Sequence, residues 1–288
     1  MIEVSPDIRR ALDDGGPVVA LETTLVAHGF PPGQGVEIGL ESERRVREGG
    51  AVPATIGVLD GRIRVGLAER QLDRFGADAR KVGPRDLAAC AAQGAPGATT
   101  VGGTLAVCRA VGIRFMGTGG IGGVHRGALD VSADLIELGR VPALVVSSGA
   151  KSLLDVRSTA EVLEALGVPT LGFRTNELPL FFSARGGPPV SARVETAEEA
   201  ARIAGDHWGL GRAGLMLANP PADSVDGLEP LIERALAEAE AGEIRGGDVT
   251  PFVLSYLHRE SGGRTLEANR ALILDNARLA GEVASAYS

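Results

Sequence analysis

Short apolar runs alternate with helix-period segments along most of the chain. The runs of strand length are residues 17–22, 54–59, 99–101, 113–117, 144–147, 170–173 and 215–218. Amphipathic spacing predicts a helix over 34–48, Ser5 followed by Pro6 predicts the start of an earlier helix, and helical patterns dominate the last third. Apolar strands that alternate with helices are typical of a layered α/β domain.

The dipeptide Asp60-Gly61 separates the apolar runs 54–59 and 62–67. An Asp-Gly pair in this position predicts a two-residue hairpin turn, so the two runs should pair antiparallel within a sheet that is therefore mixed. The sequence contains neither internal repeats nor a low-complexity linker, and the glycine and proline residues at 186–189 indicate an ordered connection. We therefore expect a single α/β domain with a mixed β-sheet over residues 1–288.

The composition is typical of a globular protein that acts on small molecules. Hydrophobic residues make up 44% of the chain, which is enough for a buried core. No apolar run approaches the roughly 18 residues of a membrane span, and the N-terminus lacks a signal pattern, so we expect a cytoplasmic protein with no membrane partner. The net charge of −8 argues against a nucleic-acid partner. Cys90 and Cys108 lie alone in apolar segments and should be buried thiols.

The chain contains two lysines, Lys81 and Lys151, while 27 arginines supply the remaining positive charge. A lysine amine can lose its proton and attack a carbonyl carbon, which a guanidinium cannot do. A codon bias that spared two surface positions is the alternative explanation. Lys151 follows the apolar run 143–147 and three small residues, and burial together with a helix N-terminus just beyond it would favour the neutral amine. This context favours Lys151 as a nucleophile.

A glycine-rich segment, residues 117–127, directly follows the strand pattern 113–117. Its first six residues match the GxGxxG pattern, but no apolar helix runs on from the glycines, so a dinucleotide site is disfavoured. A plain turn is one interpretation. A binding loop is the other, in which backbone amides approach a ligand and His125 and Arg126 donate to a phosphate or a polar ring.

Three acidic residues are candidates for a functional site. Asp130 and Asp134 are four residues apart beside the glycine-rich segment, where one carboxylate could hold a hard divalent cation and the other could transfer protons. Capping of a helix by Asp130 or Ser132 is the structural alternative. Glu22 ends an apolar strand pattern, and burial there would raise the pKa of its carboxyl group, as suits a proton donor. A half-exposed charged residue at a strand end, without a functional role, is the alternative.

Longer stretches of the sequence resemble the pseudouridine-5'-phosphate glycosidases, also called the indigoidine synthase A-like family. The matching stretches cover nearly the whole chain and are carried by residues 18–31, 50–61, 117–127, 130–135, 149–152 and 266–269. The resemblance implies a three-layer α/β/α fold, a homotrimer and one Mn²⁺ per subunit. It also implies the reversible cleavage of the C–C glycosidic bond of pseudouridine 5'-phosphate to uracil and ribose 5-phosphate.

The resemblance assigns roles to individual residues. It implies that Lys151 attacks C1′ of the ring-opened ribose, that Glu22 protonates C5 of uracil, that Asp130 binds the metal and that Asp134 moves protons during ring opening. A C–C glycoside has no heteroatom leaving group for paired carboxylates to protonate, so an amine adduct that becomes an iminium suits this bond better. The residues implied to contact substrate are Lys81, Val101, Thr118, His125, Ser132, Ala133, Asp134 and Asn269.

Two segments depart from the family pattern. The connection that leads to Asp130 is shorter than usual, which places the change beside the implied metal ligand. Lys81 is followed by Val-Gly-Pro-Arg-Asp instead of Val-Ser-Arg-Arg-Asp. The lost arginine would weaken phosphate binding, although Arg85 is kept.

Two other functions remain open from the sequence. A different imine-forming lyase would use Lys151 on another phosphorylated sugar, and a nucleotide-binding regulatory module would have no turnover. Release of uracil from pseudouridine 5'-phosphate would distinguish the glycosidase from both.

Overall fold

Helices cover both faces of a mixed β-sheet, which gives a three-layer α/β/α domain. The computed structural model describes residues 1–31, 33–127 and 130–288. The strands are β1 Ile2–Val4, β2 Val18–Glu22, β3 Val52–Leu59, β4 Arg62–Val65, β5 Arg80–Val82, β6 Gly97–Thr99, β7 Phe115–Gly117, β8 Val124–His125, β9 Leu144–Ser147, β10 Leu154–Asp155, β11 Thr170–Phe173, β12 Ala192–Val194 and β13 Leu215–Ala218. The helices are α1 Pro6–Asp13, α2 Thr24–His28, α3 Gln34–Glu48, α4 Glu69–Leu72, α5 Leu87–Ala92, α6 Val101–Val111, α7 Ala133–Leu138, α8 Val156–Ala165, α9 Ala197–Gly209, α10 Glu229–Ala241, α11 Val249–Glu260 and α12 Arg264–Tyr287.

Within the described ranges the main sheet has eleven strands. Its principal order is β1-β4-β3-β2-β7-β9-β13-β11-β12, with β6 paired to β3 and β5 paired to β6. The strands from β3 through β12 along this order pair in parallel, whereas β3 pairs antiparallel with β4 and with β6. Strand β2 connects onward to β3 on one side and lies beside β7 on the other, so the direction of winding reverses between β2 and β7.

Strand β2 illustrates how the two-residue period builds two cores. Val18 and Ala20 belong to one buried apolar cluster, while Val19 and Leu21 belong to another. Successive side chains of a strand point to opposite faces, so each face of the sheet needs its own helical layer. The 24-residue helix α12 packs against α3, α9 and the central strands on the Val19 face.

The structure confirms most of the predicted elements. The hairpin pairs β3 with β4 antiparallel across Asp60 and Gly61, and Asp60 has a φ of 53°. Cys90 and Cys108 are buried free thiols. No helix in the described part of the chain is both long enough and apolar enough to cross a membrane.

Three local predictions were wrong in detail. The strand predicted over 99–101 ends at Thr99, because Thr100 caps α6 by accepting a hydrogen bond from the Gly103 amide at 3.1 Å. Helix α1 begins at Pro6 as expected, but the Ser5 side chain makes no capping hydrogen bond. The helix expected just after Lys151 begins only at Val156.

Candidate active site

The carboxyl ends of three neighbouring parallel strands meet at one edge of the sheet. Glu22 ends β2, Gly117 ends β7 and Ser147 ends β9, and these strands lie side by side in that order. Ligand sites in open α/β sheets lie outside the carboxyl ends of the strands where the winding reverses. The β2/β7 boundary is such a point.

A cleft opens at this edge and contains about 490 Å³ of empty space, counting its open mouth. The cleft is lined by Glu22, Thr24, Leu25, His28, Gly29, Lys81, Thr118, Gly119, Gly120, Lys151, Phe181, Thr250, Pro251, Leu254, Asn269 and Ile273. Five of the predicted site residues therefore share one cleft: Glu22, Lys81, Thr118, Lys151 and Asn269.

Glu22 is a buried carboxylic acid. Its side chain is at the end of a fully buried strand, the residue is 8% exposed, and its Oε1 accepts a hydrogen bond from the Thr118 hydroxyl at 2.6 Å. Burial raises the pKa of the Glu22 carboxyl group, and the nearby Lys151 charge and the Thr118 hydrogen bond oppose that rise only in part. A carboxyl group in this state can hold a proton for donation at higher pH than an exposed one.

The glycine-rich segment fixes the position of Lys151. Beyond β7 and β9 the two loops continue the parallel pairing: Thr118 N donates to Val146 O at 3.0 Å, and Ile121 N donates to Gly149 O at 3.0 Å. The Lys151 amide donates to Ile121 O at 3.1 Å. The segment therefore holds the loop that carries Lys151 against the strand ends.

Steric space explains several of the glycines. A Cβ at Gly120 would lie 2.6 Å from the Phe181 ring, and one at Gly122 would lie 2.3 Å from the Ser132 hydroxyl. Gly119 and Gly120 line the cleft, but the Gly122 amide donates to Asp134 at 2.8 Å. The expectation that the backbone amides of these glycines bind a ligand is therefore wrong for Gly122. Its amide donates to Asp134, and its lack of a side chain makes room for Ser132.

Lys151 does not lie at a helix N-terminus. Strand β10 separates it from α8, and Asp155 caps that helix by accepting from the Ser158 amide at 3.0 Å. The N-terminus of the helix, with the positive end of its dipole, therefore lies at Asp155 and not at Lys151. The surroundings of Lys151 are instead the cleft itself, with Glu22 and Lys81 among its charged neighbours.

Lys81 forms part of another wall of the cleft. Its Nζ donates to the Gly247 carbonyl at 3.1 Å, in the turn that precedes α11. Burial lowers the pKa of the Lys81 amine, and the positive charge of Lys151 lowers it further, whereas Asp134 and Glu22 oppose the change. Two cationic groups near one cleft are suited to an anionic ligand.

Asp134 lies beneath the cleft. It is 4% exposed, and its two oxygens accept from the Gly102 amide at 2.7 Å and the Gly122 amide at 2.8 Å. Its negative charge acts on Glu22 and on Lys81. Two backbone donors thus fix its orientation near Glu22 and Lys81.

The remaining predicted residues are not among those that line the cleft in the described ranges. Val101 is fully buried in the core at the first turn of α6. Ser132 caps α7 by accepting from the Asp134 amide at 3.2 Å, which confirms one of the two capping alternatives, and Ala133 begins that helix. His125 forms part of β8.

Asp130, the implied metal ligand, has a side chain that is 52% exposed, with one oxygen 3.9 Å from His125 Nε2. The shortened connection that precedes it includes residues 128 and 129, which lie outside the described residues. In the parts of the chain that are described, no three His, Cys, Asp or Glu side chains group closely enough to hold a metal ion. A single exposed carboxylate fits a hydrated hard cation that keeps most of its waters, and it does not fit a cation enclosed by protein ligands.

Sequence reasoning missed several cleft residues. Phe181 has a φ of 64°, is 2% exposed and lines the cleft beside Gly120. Thr250 and Pro251 reach the cleft from α11. His28 lies inside a family-like stretch but was assigned no role. Its Nε2 lies 3.0 Å from the Ala79 carbonyl, and burial lowers the pKa of its ring.

The fold and the cleft define an α/β protein with a lysine and a buried glutamic acid at a switch point of the sheet. Residues 7–286 match the model of a family described as indigoidine synthase A like protein. A protein of Herpetosiphon aurantiacus named pseudouridine-5'-phosphate glycosidase is 47% identical, over 98% of this chain and 97% of its own length. One of Deinococcus radiodurans with the same name is 44% identical, over 100% and 95%.

Two solved structures share the fold over the full domain. The prealnumycin C-glycosynthase AlnA, in complex with ribulose 5-phosphate, has a TM-score of 0.90 and 41% identity, and covers 100% of this chain and 97% of its own. An indigoidine synthase A-like protein of Thermotoga maritima has a TM-score of 0.89 and 41% identity, with coverage of 99% and 95%. The chain therefore belongs to the indigoidine synthase A-like family, as the sequence predicted.

Proposed function

We propose that this protein is a pseudouridine-5'-phosphate glycosidase. It cleaves the C–C bond between C1′ of the ribose and C5 of uracil, reversibly, to give uracil and ribose 5-phosphate. The observation that carries the proposal is the presence of Lys151 and the buried acid Glu22 in one cleft, close enough for the lysine charge to lower the carboxyl pKa. The names of the relatives at 44% and 47% identity support the same substrate.

The amine of Lys151 is the nucleophile. Ring opening breaks the C1′–O4′ bond, whose electron pair stays on O4′ together with a proton, and loss of the uracil N1 proton leaves C1′ doubly bonded to C5. Nζ adds to C1′ as this π pair returns to the uracil ring and N1 regains a proton. The adduct amine then loses a proton, and its lone pair expels the C1′–C5 bonding pair toward the ring. The adduct becomes an iminium between Nζ and C1′. Water adds to C1′ of that iminium, and breakage of the C–N bond returns the free amine with ribose 5-phosphate.

Glu22 is the acid for the leaving carbon. It donates a proton to C5 as the C1′–C5 bond breaks, so that uracil departs as a neutral molecule. Its raised pKa keeps the proton available in the cleft, and the Thr118 hydroxyl fixes the carboxyl group at the end of β2. In the reverse direction the carboxylate removes the proton from C5.

Asp134 serves ring opening and closure by moving a proton to or from the ribose ring oxygen. Its fixed orientation between the Gly102 and Gly122 amides supports this role. Lys81, Thr118 and Asn269 contact the substrate from the walls of the cleft. The contacts proposed for Val101, His125, Ser132 and Ala133 rest on the family resemblance.

We also propose that Asp130 holds one Mn²⁺ per subunit through a single carboxylate and that the protein is a homotrimer. The cation would supply positive charge for the substrate phosphate. The exposed Asp130 carboxylate, with His125 nearby, supports a largely hydrated ion. Light scattering of the pure protein tests the trimer.

The proposed function is tested by incubating the protein with pseudouridine 5'-phosphate and Mn²⁺ and measuring the released uracil by chromatography. We expect uracil and ribose 5-phosphate in equal amounts. If no uracil appears but borohydride traps Lys151 on other sugar phosphates, the enzyme is a different imine-forming lyase. If nucleotides bind tightly and neither result is seen, it is a binding module.

A second candidate function is C–C bond formation with another aromatic partner. The fold shared with a C-glycosynthase at 41% identity favours it. Incubation with ribose 5-phosphate and a panel of aromatic acceptors, with uracil as the reference, distinguishes the two. We expect uracil to be the preferred partner.

A further inference from the structure

In the proposed reaction Glu22 loses its proton in every turnover and must regain it. The residue is 8% exposed, and in the proposed reaction the substrate would cover its cleft side. We infer that protons reach Glu22 from the opposite side, through a small cavity and then through Thr55 and Glu43. This inference rests on the proposed role of Glu22.

A second cavity lies behind the cleft, and Glu22 and Thr118 line both. It has room for about one ordered water molecule. Such a water requires two to four polar partners. Ser42 and Thr55 join Glu22 and Thr118 in its walls, so four of the lining residues carry side-chain oxygens that could bond such a water.

Thr55 connects this cavity to a second buried carboxylate. The Thr55 hydroxyl donates to Glu43 Oε1 at 2.6 Å, and Glu43 is 9% exposed on the sheet-facing side of α3. The other oxygen, Oε2, accepts from Arg47 at 3.1 Å, and the Arg47 side chain is 57% exposed. The path therefore runs from the active-site acid to the solvent in a few hydrogen-bonded steps.

Each transfer breaks one O–H bond and forms another. A protonated Glu43 gives its proton to Thr55 Oγ1 while the Thr55 proton passes to the water. The water then gives one of its protons to the Glu22 carboxylate. The net result is one proton moved from Glu43 to Glu22, and Glu43 is reloaded from solvent. In the synthetic direction the same steps run in reverse.

A purely structural role for Glu43 is the competing explanation, since the Thr55 bond also ties α3 to β3. The two roles predict different rates for the first and for the later turnovers. A structural defect slows the first turnover as much as later ones, whereas a lost proton path spares the first turnover, for which Glu22 is already protonated.

The experiment is rapid-quench measurement of uracil release with pseudouridine 5'-phosphate in excess over enzyme. For Glu43→Gln we expect a burst of about one uracil per subunit, followed by a steady rate at least about tenfold below that of the wild type. Imidazole, a small proton donor, should speed the slow phase and leave the burst unchanged. Glu48→Gln is the matched control, because Glu48 forms a comparable pair with Arg45 at 3.0 Å on the exposed side of α3.

Thr55 gives an independent pair of variants. Thr55→Val keeps the shape and removes the hydroxyl, so it should reproduce the burst and the buffer rescue. Thr55→Ser keeps the hydroxyl and should turn over at close to the wild-type rate. If circular dichroism shows that Glu43→Gln does not fold, the two Thr55 variants test the proton path in its place.

Linear kinetics without a burst in both Glu43→Gln and Thr55→Val, or slow turnover that imidazole does not speed, would overturn the proton path. Reloading of Glu22 by the proton released when the iminium is hydrolysed would give linear kinetics at the wild-type rate. Failure of the underlying assignment looks different, because Glu22→Gln would then still release uracil normally.

Discussion

Glu22 is a buried carboxylic acid, and among the described residues no counter-ion is in direct contact with it. The nearest hydrogen-bond donor is the Thr118 hydroxyl, and the groups that act on its charge are Lys151, Asp134 and Lys81. Because burial is the largest effect, the protonated form is favoured. The same burial that suits a proton donor therefore costs stability whenever the group ionises.

Replacement of Glu22 by Gln should separate these two effects. The folded-state pKa of Glu22 is raised, so its contribution to stability is full below the unfolded pKa and is lost as the pH rises through the folded value. We expect Glu22→Gln to unfold at higher urea than the wild type at neutral pH, with less dependence on pH. We expect kcat to fall by about 10²- to 10⁴-fold.

The wild-type kcat should also decline on the alkaline side as Glu22 ionises. Urea unfolding and rate profiles at acid, neutral and alkaline pH check both expectations. A Glu22→Gln variant that is less stable than the wild type at neutral pH and still fully active would contradict the account of this residue.

Lys81 provides a charge rather than a nucleophile in the proposed mechanism. Lys81→Gln should raise KM for pseudouridine 5'-phosphate by about tenfold and change kcat less, because substrate and transition state carry the same phosphate. Lys81→Arg, which keeps the charge, should recover part of the affinity. Steady-state kinetics of both variants are sufficient, and a loss confined to kcat would argue against this role.

At the scale of single residues, the sequence predicted that Lys151 and Glu22 belong to one site, and both line one cleft, but much of the cleft wall was not predicted. Lys151 and Glu22 stood out because a rare amine and a carboxylate followed apolar strands. Phe181 and Thr250 have no local signal, since they reach the cleft only through tertiary packing.

Among the elements, helix α12 holds the strand-end loops in place through Asn276. Asn276 is fully buried on this helix, and its Nδ2 donates to Thr118 O at 2.8 Å and to Ser148 Oγ at 3.1 Å. Its Oδ1 accepts from Asn219 Nδ2 at 3.0 Å. One side chain thus joins the loops that follow β7, β9 and β13.

We expect Asn276→Leu to destabilise the protein by about 2–4 kcal/mol, because it leaves buried acceptors without donors. It should also lower kcat by about tenfold or more, since a small displacement of Thr118 moves Glu22 and the Lys151 loop. Urea unfolding and kinetics measure the two effects. Leu279→Ala, a core truncation on the same helix, should lose stability and keep kcat. Equal kcat in both variants would show that Asn276 has no positioning role.

The elements themselves followed from periodicity where they were long or marked by a turn. The hairpin at Asp60 and the 15-residue helix α3 were predicted because their signals are local. Strands of two or three residues, such as β8 and β12, are too short to show an alternation of apolar and polar residues. They form because neighbouring strands supply their hydrogen-bond partners. The helix expected just after Lys151 begins later, at Val156, because Asp155 is the residue that caps it.

For the whole molecule, the order of the strands creates the site. The reversal of winding between β2 and β7 leaves a gap over their carboxyl ends, and both Glu22 and the glycine-rich segment lie there. The alternation of strands and helices predicted the layers, but not the strand order, which depends on contacts distant in sequence. Asp130, three residues beyond the glycine-rich segment in sequence, lies toward solvent and is the residue at which the proposed metal site can be tested.

Asp130→Asn should weaken Mn²⁺ binding by at least about tenfold, because a neutral amide replaces the charged ligand that a hard cation prefers. Electron paramagnetic resonance of free Mn²⁺ in titrations measures this without reference to catalysis. Asp226→Asn, a change to another exposed aspartate, is the control for net charge. Unchanged Mn²⁺ affinity in Asp130→Asn would place the cation elsewhere.

The central claim is that Lys151 forms the covalent adduct. The most direct test is borohydride reduction during turnover of pseudouridine 5'-phosphate, followed by peptide mass spectrometry. We expect a reduced ribose 5-phosphate adduct on Lys151 and none on Lys81, with uracil released by the wild type and neither adduct nor uracil from Lys151→Arg. Uracil release that persists in Lys151→Arg, or an adduct found on Lys81 instead, would contradict the account.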